Sequence, residues 1–287
     1  MAFQPGGGSD EIQAPPIIKA RNDMVVVRAT VTDALNRNVI GLEKEFFRVF
    51  EDKVEQDIVH FSNTKSPVSV GFVLDLSGSM GDNIMSARNS IIRFLEQGDP
   101  TDEYFLVTFN DRTAVAQDFT PRGENIRGQI AFSGTSGRTA LFDAIYLGLE
   151  KLEEGRHEKK ALIVITDGED NSSRYTSGEI QDLARESNSQ IYIIGERGDI
   201  GYGRSIIANL VRITGGRSFF PDSFKQLDYY CDLIHTELRH QYVVGYNPTS
   251  AQSGEDNWRT IRVKLDAPDG WPKLSIRHRM GYVPRRY

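Results

Sequence analysis

The chain has little of what would form a disulfide framework, cross a membrane or bind nucleic acid. Cys231 is its single cysteine, so an intramolecular disulfide is excluded and the cysteine gives no support for an oxidising compartment. The opening of the chain, up to Pro15 and Pro16, lacks the apolar run that a signal peptide or a membrane span needs. The net charge of -6 argues against a general nucleic-acid binder, which is expected to present a concentrated basic face. We therefore expect no integral membrane segment and no nucleic-acid partner.

Common nucleotide-binding and catalytic motifs are also missing. The sequence contains no Gly-x-x-x-x-Gly-Lys loop, no Gly-x-Gly-x-x-Gly fingerprint, and no histidine placed in a motif with an evident nucleophile. A phosphotransferase of the doubly wound class would typically use an Asp-x-Asp pair, but Ser77 stands where the second carboxylate after Asp75 would be. No general base is identifiable. The sequence therefore favours a protein that is not an enzyme.

The middle of the chain alternates between strand and helix patterns. Nearly continuous apolar runs at residues 68–75, 104–110, 160–167 and 190–195 are typical of strands buried on both faces of a parallel sheet. Apolar residues recur at helical spacing between these runs, before Gly98 and before Gly155. This alternation predicts an α/β domain with a doubly wound, mostly parallel sheet.

The same domain is predicted to extend beyond these strands. Residues 113–120 follow a strand after a two-residue connection, so we expect them to return as an antiparallel hairpin. Helical stretches at residues 204–214 and 223–240 flank a short strand candidate at 217–220 and complete the unit at residues 67–239. In such sheets, ligands bind outside the carboxyl ends of the strands, where the strand order reverses.

Hydroxyl and carboxylate side chains are concentrated at these strand ends. Asp75, Ser77 and Ser79 follow the first buried strand, Thr139 precedes a helix, and Asp167 ends another buried strand. Mg²⁺ prefers small oxygen ligands in octahedral geometry and keeps some water. A site with few protein ligands therefore leaves positions open for another group. The simpler alternative is helix capping, which Ser79 could provide for the helix that follows.

These three fragments resemble the metal-ion-dependent adhesion site (MIDAS) of von Willebrand factor type A domains. The family pattern of Asp-x-Ser-x-Ser, then Thr, then Asp is matched at Asp75, Ser77, Ser79, Thr139 and Asp167. The resemblance implies that the hydroxyls of Ser77, Ser79 and Thr139 bind Mg²⁺, or Mn²⁺ or Ca²⁺, and that the two carboxylates act directly or through water. It also implies a six-stranded sheet and a partner protein whose acidic side chain completes the coordination.

Both flanks of this unit contain strand patterns, and neither has enough strands to be stable alone. Alternation at residues 25–32 and 259–266, and short strands at 47–51, 56–61, 241–246 and 274–279, predict one discontinuous β-sandwich from residues 21–66 and 240–287. The α/β unit at 67–239 would be inserted into it. Similar segments flank the unit in bacterial proteins related to the type A domain. Residues 1–20, rich in glycine and polar residues, are predicted to be a disordered tail.

Several other residues could form sites but have simpler interpretations. Asp143 is expected to occupy the first turn of a helix, and Glu169 and Asp170 to be solvated. Cys231 and His235 share a helix face but lack further zinc ligands nearby, so a packed thiol beside a partly buried imidazole is favoured. The remaining patterns are interpreted as a turn at 197–199, a polar loop at 171–173 and a solvated basic cluster at 277–279 and 285–286.

Three functions remain open from the sequence. The favoured one is a non-enzymatic adhesion or assembly module whose bound cation joins it to an acidic partner. The first alternative is a metal-dependent hydrolase of phosphate or ester substrates, acting through metal-bound water. In the second, the domain organises an assembly of subunits. Family resemblance favours export to the cell surface, periplasm or medium if a signal has been removed; otherwise the protein is cytoplasmic. The partner and the oligomeric state cannot be read from the sequence.

Overall fold

The computed structural model describes residues 24–121, 123–131, 133–195, 203–249, 258–267 and 270–284. The predicted tail at 1–20, the turn at 197–199 and the arginines at 285–286 lie outside the described residues. The strands, in chain order, are β1 (Val25–Thr32), β2 (Phe47–Glu51), β3 (Val54–Gln56), β4 (Ile58–Ser62), β5 (Val68–Asp75), β6 (Glu103–Phe109), β7 (Thr113–Thr120), β8 (Lys159–Thr166), β9 (Gln190–Gly195), β10 (Arg217–Phe219), β11 (Tyr242–Tyr246), β12 (Arg259–Leu265), β13 (Ser275–His278) and β14 (Gly281–Tyr282).

The helices cover the amphipathic stretches of the middle of the chain. They are α1 (Ile84–Glu96), α2 (Glu124–Ala131), α3 (Leu141–Glu153), α4 (Ser177–Glu186), α5 (Gly203–Thr214) and α6 (Leu227–Arg239). The stretch predicted as one helix at residues 223–240 is divided into a short 3₁₀ turn, Phe224–Gln226, followed by α6.

A six-stranded sheet forms the centre of the molecule, in the order β10-β9-β8-β5-β6-β7. All neighbouring strands are parallel except β7, which is antiparallel to β6. All eight residues of β5 are buried because helices cover both faces of the sheet. This arrangement confirms the predicted doubly wound, mostly parallel sheet and its antiparallel hairpin.

The helices form two layers, each with its own apolar core. On one face, α1, α2 and α6 pack against side chains such as Phe72 and Ile163. On the other face, α3, α4 and α5 pack against Val73, Leu162 and Ile193. Successive strand residues point to opposite faces, so the continuous apolar runs in the sequence supply both cores at once.

The flanking segments form two further antiparallel sheets. One has the order β13-β1-β11-β4 and the other β14-β12-β2-β3, and each combines strands from before and after the α/β unit. Val27, Phe47, Val244 and Ile261 belong to the apolar core between these sheets. The additional antiparallel sheets agree with the predicted fold class. The domain limits stated from the sequence stay a prediction.

Two details of the flanks differ from the sequence prediction. The single strand expected at residues 56–61 is wrong, because the chain divides into β3 and β4, which belong to different sheets. The strand β1 has six buried residues in succession rather than one exposed face. The reason is that Arg28, on its second face, reaches the α/β unit and donates to the Glu158 carbonyl.

Candidate metal centre

The polar residues of the two central strands meet at one edge of the sheet. Asp75 is the last residue of β5, and Asp167 directly follows β8, which is the parallel neighbour of β5. The chain continues from β5 to β6 on one side, whereas β8 lies on the other side, so the strand order reverses between β5 and β8. Loops diverge at such a reversal and leave a crevice for a ligand.

Asp75 is fully buried, and both of its carboxylate oxygens accept hydrogen bonds. Oδ1 accepts from the Ser77 backbone N–H at 2.7 Å, and Oδ2 accepts from the Thr166 hydroxyl at 2.6 Å. Burial raises the pKa of Asp75, and the nearby Asp167 carboxylate acts in the same direction, while the bonds from Thr166 and Ser77 lower it. Asp75 thus orients the loop that bears Ser77 and places negative charge beside it.

The serine hydroxyls and Asp167 form a continuous chain of oxygen atoms. The Oγ atoms of Ser77 and Ser79 are 3.1 Å apart, and Ser79 Oγ donates to Asp167 Oδ1 at 2.6 Å. Asn83 Nδ2 donates to the second oxygen of Asp167 at 3.2 Å. The capping interpretation of Ser79 is wrong, because its hydroxyl contacts Asp167, and α1 follows Asn83 without a side-chain cap.

Thr139 approaches the same place from the loop before α3. Its backbone N–H donates to Asn171 Oδ1 at 3.0 Å, and Asn171 N–H donates back to the Thr139 carbonyl at 3.0 Å. A Cβ added to Gly168 would lie 3.2 Å from Thr139 Oγ1 and 3.7 Å from Ser79 Oγ. Both hydroxyls therefore border the space that the missing side chain of Gly168 leaves open.

This arrangement suits a small, hard divalent cation. Neighbouring ligands of an octahedral Mg²⁺ with bonds of about 2.1 Å are about 3.0 Å apart. The separation of 3.1 Å between the Ser77 and Ser79 hydroxyls matches that edge. Within the described ranges, no three or more His, Cys, Asp or Glu side chains form a group that could hold a metal ion. A cation here would therefore depend on the hydroxyl oxygens.

Sequence reasoning missed the residues that support the five predicted ones. Thr166, Asn83 and Asn171 each bond to a predicted residue, and none has a spacing that would have identified it. Thr166 had one available signal, since it is a hydroxyl residue next to Asp167 at the end of a buried strand.

The acidic loop after Asp167 has a structural role that the sequence did not indicate. Asp170 Oδ1 accepts from the Phe142 N–H at 3.3 Å, at the start of α3. Asp143 lies in the first turn of α3, as expected, and its Oδ1 accepts from the N–H groups of Arg174 and Tyr175 at 2.8 and 3.0 Å. These bonds hold the loop at residues 170–175 against the start of α3. Thr139, which bonds to Asn171 of that loop, is held in the same place.

Comparison with known proteins places this site in a family. A family model for the von Willebrand factor type A domain matches residues 69–231, more than half of the chain. Inter-alpha-trypsin inhibitor heavy chain H4 from Homo sapiens is 26% identical over 239 residues, which are 75% of this chain and 24% of that protein. The chain thus spans about a quarter of the length of this curated relative.

Solved structures share the fold at low sequence identity. A von Willebrand factor type A protein from Catenulispora acidiphila has a TM-score of 0.55 and 10% identity, covering 91% of this chain and 72% of its own. Proximal thread matrix protein 1 from the mussel byssus, solved with a zinc-occupied MIDAS motif, has a TM-score of 0.52 and 21% identity. That match covers 68% of this chain and 50% of the mussel chain.

No helix in the described part of the chain is both long and apolar enough to span a membrane. Type A domains are in general metal-dependent protein-interaction modules, and adhesion-type members are generally not enzymes. The matched family model, the sheet order and the solved relatives agree with one another. This chain belongs to the von Willebrand factor type A domain family.

Proposed function

We propose that this protein binds a partner protein through a divalent cation, with Mg²⁺ as the resident ion and Mn²⁺ or Ca²⁺ as substitutes. The observation that supports this most directly is the chain of oxygen contacts from Ser77 through Ser79 to Asp167. These three oxygens come from two loops, and their spacing suits a shared ion. An acidic side chain of the partner would complete the coordination.

The protein's own residues would have two roles at the ion. The hydroxyls of Ser77, Ser79 and Thr139 would bind it, and Asp75 and Asp167 would act directly or through water. Mg²⁺ supplies concentrated positive charge, which attracts anionic oxygen ligands. Neutral hydroxyls compensate that charge only partly, so the ion strongly attracts the carboxylate of a partner. Asp75 is fully buried, and its two carboxylate oxygens already accept hydrogen bonds from Ser77 and Thr166. This favours contact with the ion through water rather than directly.

We further propose that residues 21–66 and 240–287 form one discontinuous β-sandwich that presents the inserted unit at 67–239. In support, each antiparallel sheet combines strands from both flanks. Partner selection is assigned to the loops at residues 133–139 and 169–176, because they surround the predicted ion and are held together by Asp143 and Asn171. Export to the cell surface, periplasm or medium fits this role.

Calorimetric titration with Mg²⁺ tests the proposal without knowledge of the partner. We expect one site per chain in the native protein and none in Ser77→Ala, because that variant loses a ligand oxygen. Ser136→Ala is the matched control, since Ser136 is an exposed hydroxyl on a loop of the same site. Equal titration curves for the native protein and Ser77→Ala would contradict the proposal. A pull-down from the native organism's surface proteins, with and without chelator, then identifies the partner.

A metal-dependent hydrolase is the alternative that the site chemistry leaves for experiment. Turnover of a phosphoester panel that vanishes in Asp167→Ala would favour it, whereas metal binding without turnover favours adhesion. Ser77 argues against a hydrolase, because it supplies a hydroxyl where a phosphotransferase would have its second carboxylate. An assembly role predicts instead that size-exclusion behaviour changes when Mg²⁺ is removed.

A further inference from the structure

A groove away from the cation site lies between the α/β unit and the flanking β-sandwich. Its volume is about 480 Å³, within the range of ligand-binding pockets. One wall is β10 with the end of α5, and the other is the segment at residues 276–280. None of the five predicted cation ligands lines it.

Arginine side chains give this groove an excess of positive charge. Arg212, Arg217 and Arg277 all line it. Two of them contact the fully buried carboxylate of Glu237, Arg217 at 3.4 Å and Arg277 at 2.6 Å. Arg212 is exposed and donates to the side-chain oxygen of Asn209 at 3.3 Å. Three guanidinium groups line the groove and two of them share one carboxylate, so these four side chains carry a net charge of about +2 in a chain whose net charge is -6.

The arginines also keep donors available for an anion. Each guanidinium has five N–H donors in a planar fork that matches a carboxylate. Glu237 receives a hydrogen bond from only one nitrogen of Arg217 and one of Arg277. Both side chains stay about a quarter exposed, at 23% and 26%. The buried Glu237 therefore holds these arginines in place without using up their donors.

The wall formed by β10 adds backbone groups to the site. Among the residues that the structure describes, β10 is the last strand of the six-stranded sheet and pairs only with β9, through residues Arg217, Ser218 and Phe219. An unpaired strand edge presents N–H and C=O groups that an extended peptide can bind. Arginines on both walls and an unpaired strand edge on one of them define the chemistry of the occupant.

We propose that this groove docks an extended acidic segment of a partner protein, which adds as a strand to the free edge of β10. Its carboxylates pair with Arg212, Arg217 and Arg277, and its backbone bonds to β10. Apolar side chains between the acidic ones rest on Ile276 and Met280, which line the opposite wall. This site is independent of the cation and goes beyond the proposed function.

Fluorescence anisotropy on the full chain tests this proposal with a labelled peptide of four Glu-Val repeats. We expect saturable binding that persists in EDTA and in Ser77→Ala. Arg212→Glu should weaken it at least about tenfold, because an exposed attractive charge becomes repulsive. Arg127→Glu is the control, since Arg127 lies on α2, which packs near β7 at the opposite edge of the sheet.

Two further probes separate strand addition from simple anion binding. A peptide of the same charge with alternate backbone amides N-methylated should bind at least about tenfold more weakly, because it cannot pair with β10. The proposal is overturned if this peptide binds as well as the parent, or if inorganic phosphate displaces the parent at equal concentration. It is equally overturned if Arg212→Glu binds normally or if the native protein shows no binding up to about 1 mM peptide. Loss of cation binding with intact peptide binding would refute only the cation proposal.

Discussion

At the scale of single residues, Lys159 is a cation held inside the protein at the start of β8. It is 3% exposed, and its Nζ donates to the Leu238 carbonyl at 3.0 Å. The pKa of Lys159 is lowered from its ordinary value of 10.5 to about 8, chiefly by burial; the cations Arg28 and Arg239 act in the same direction and Asp102 opposes them. The charged form of Lys159 is therefore costly in the folded state at neutral pH.

This burial predicts a stability that rises with pH. Between pH 8 and 10.5 the folded protein holds fewer protons on Lys159 than the unfolded chain does, so the free energy of unfolding increases with pH. Relative to Lys159→Met, the native protein should gain on the order of 3 kcal/mol across that window. Urea unfolding of both proteins at pH 7.5 and 10 measures the gain. Lys160→Met is the control, and a difference between Lys159→Met and the native protein that does not change with pH would contradict the prediction.

Gly168 tests the space beside the proposed cation. A Cβ at this position would lie 3.2 Å from Thr139 Oγ1, closer than a relaxed contact. Gly168→Ala should therefore displace Thr139 and lower Mg²⁺ affinity by about tenfold or more, as disturbed supporting residues do at metal sites. Calorimetry measures the affinity, and circular dichroism checks the fold. Gly134→Ala, where a Cβ meets nothing within 4 Å, is the control. Unchanged affinity in Gly168→Ala would mean that Thr139 does not bind the ion.

The residues proposed to bind the ion could be named from the sequence because each follows or precedes a recognisable element. The residues that orient these ligands could not be named from the sequence. Asn171 bonds to Thr139 across a loop, and Thr166 bonds to Asp75 across two strands. Such bonds join residues far apart in the chain and depend on how β5 lies beside β8, which the spacing of residues along the sequence does not give.

At the scale of elements, β5 is packed so closely that it cannot accommodate an added side chain at Gly71. A Cβ at Gly71 would meet Phe105 Cζ at 2.2 Å and Leu162 Cδ1 at 2.9 Å. Gly71→Ala should therefore overpack the sheet and reduce the free energy of unfolding by about 1–3 kcal/mol. Gly128→Ala is the matched contrast: it lies in α2 with nothing within 4 Å, and it should stabilise by about 0.5–1 kcal/mol. Urea unfolding that ranked the two variants in the opposite order would contradict the packing of β5.

Strands buried on both faces were the elements best predicted from sequence. The prediction for residues 190–195 matches β9, and those for the strands at 104–110 and 160–167 differ by one residue at each end. Continuous apolar runs leave little ambiguity. The flanking strands were harder, because β3 and β4 adjoin in sequence yet pair with β2 and β11 in different sheets. That division occurs at Asp57 and depends on tertiary pairing.

At the scale of the whole molecule, Glu237 connects the α/β unit to the antiparallel sheet that contains β13. Its carboxylate on α6 contacts Arg217 of β10 and Arg277 of β13. Glu237→Gln should lower the free energy of unfolding by about 3 kcal/mol, because it leaves two partly buried arginines without a counterion. Thermal or urea unfolding measures this loss. Glu186→Gln, on the exposed end of α4, should be nearly neutral. Equal stability of the two variants would show that this connection contributes little.

Antiparallel sheets that combine strands from both flanks were anticipated, because neither flank alone has enough strands. The way the units pack was not anticipated. Met280 N–H donates to the Ile213 carbonyl at 3.0 Å, and Arg279 Nη1 donates to Asn188 Oδ1 at 2.8 Å. These contacts join residues far apart in the chain, and no periodicity in the sequence encodes them.

Anomalous diffraction from crystals grown with Mn²⁺ tests the central claim most directly, because it locates the ion without any partner. The account predicts one strong peak bonded to the hydroxyls of Ser77 and Ser79, beside Thr139 and Asp167, and its loss in Ser77→Ala. A peak elsewhere on the protein, or no peak between β5 and β8 at saturating Mn²⁺, would contradict it.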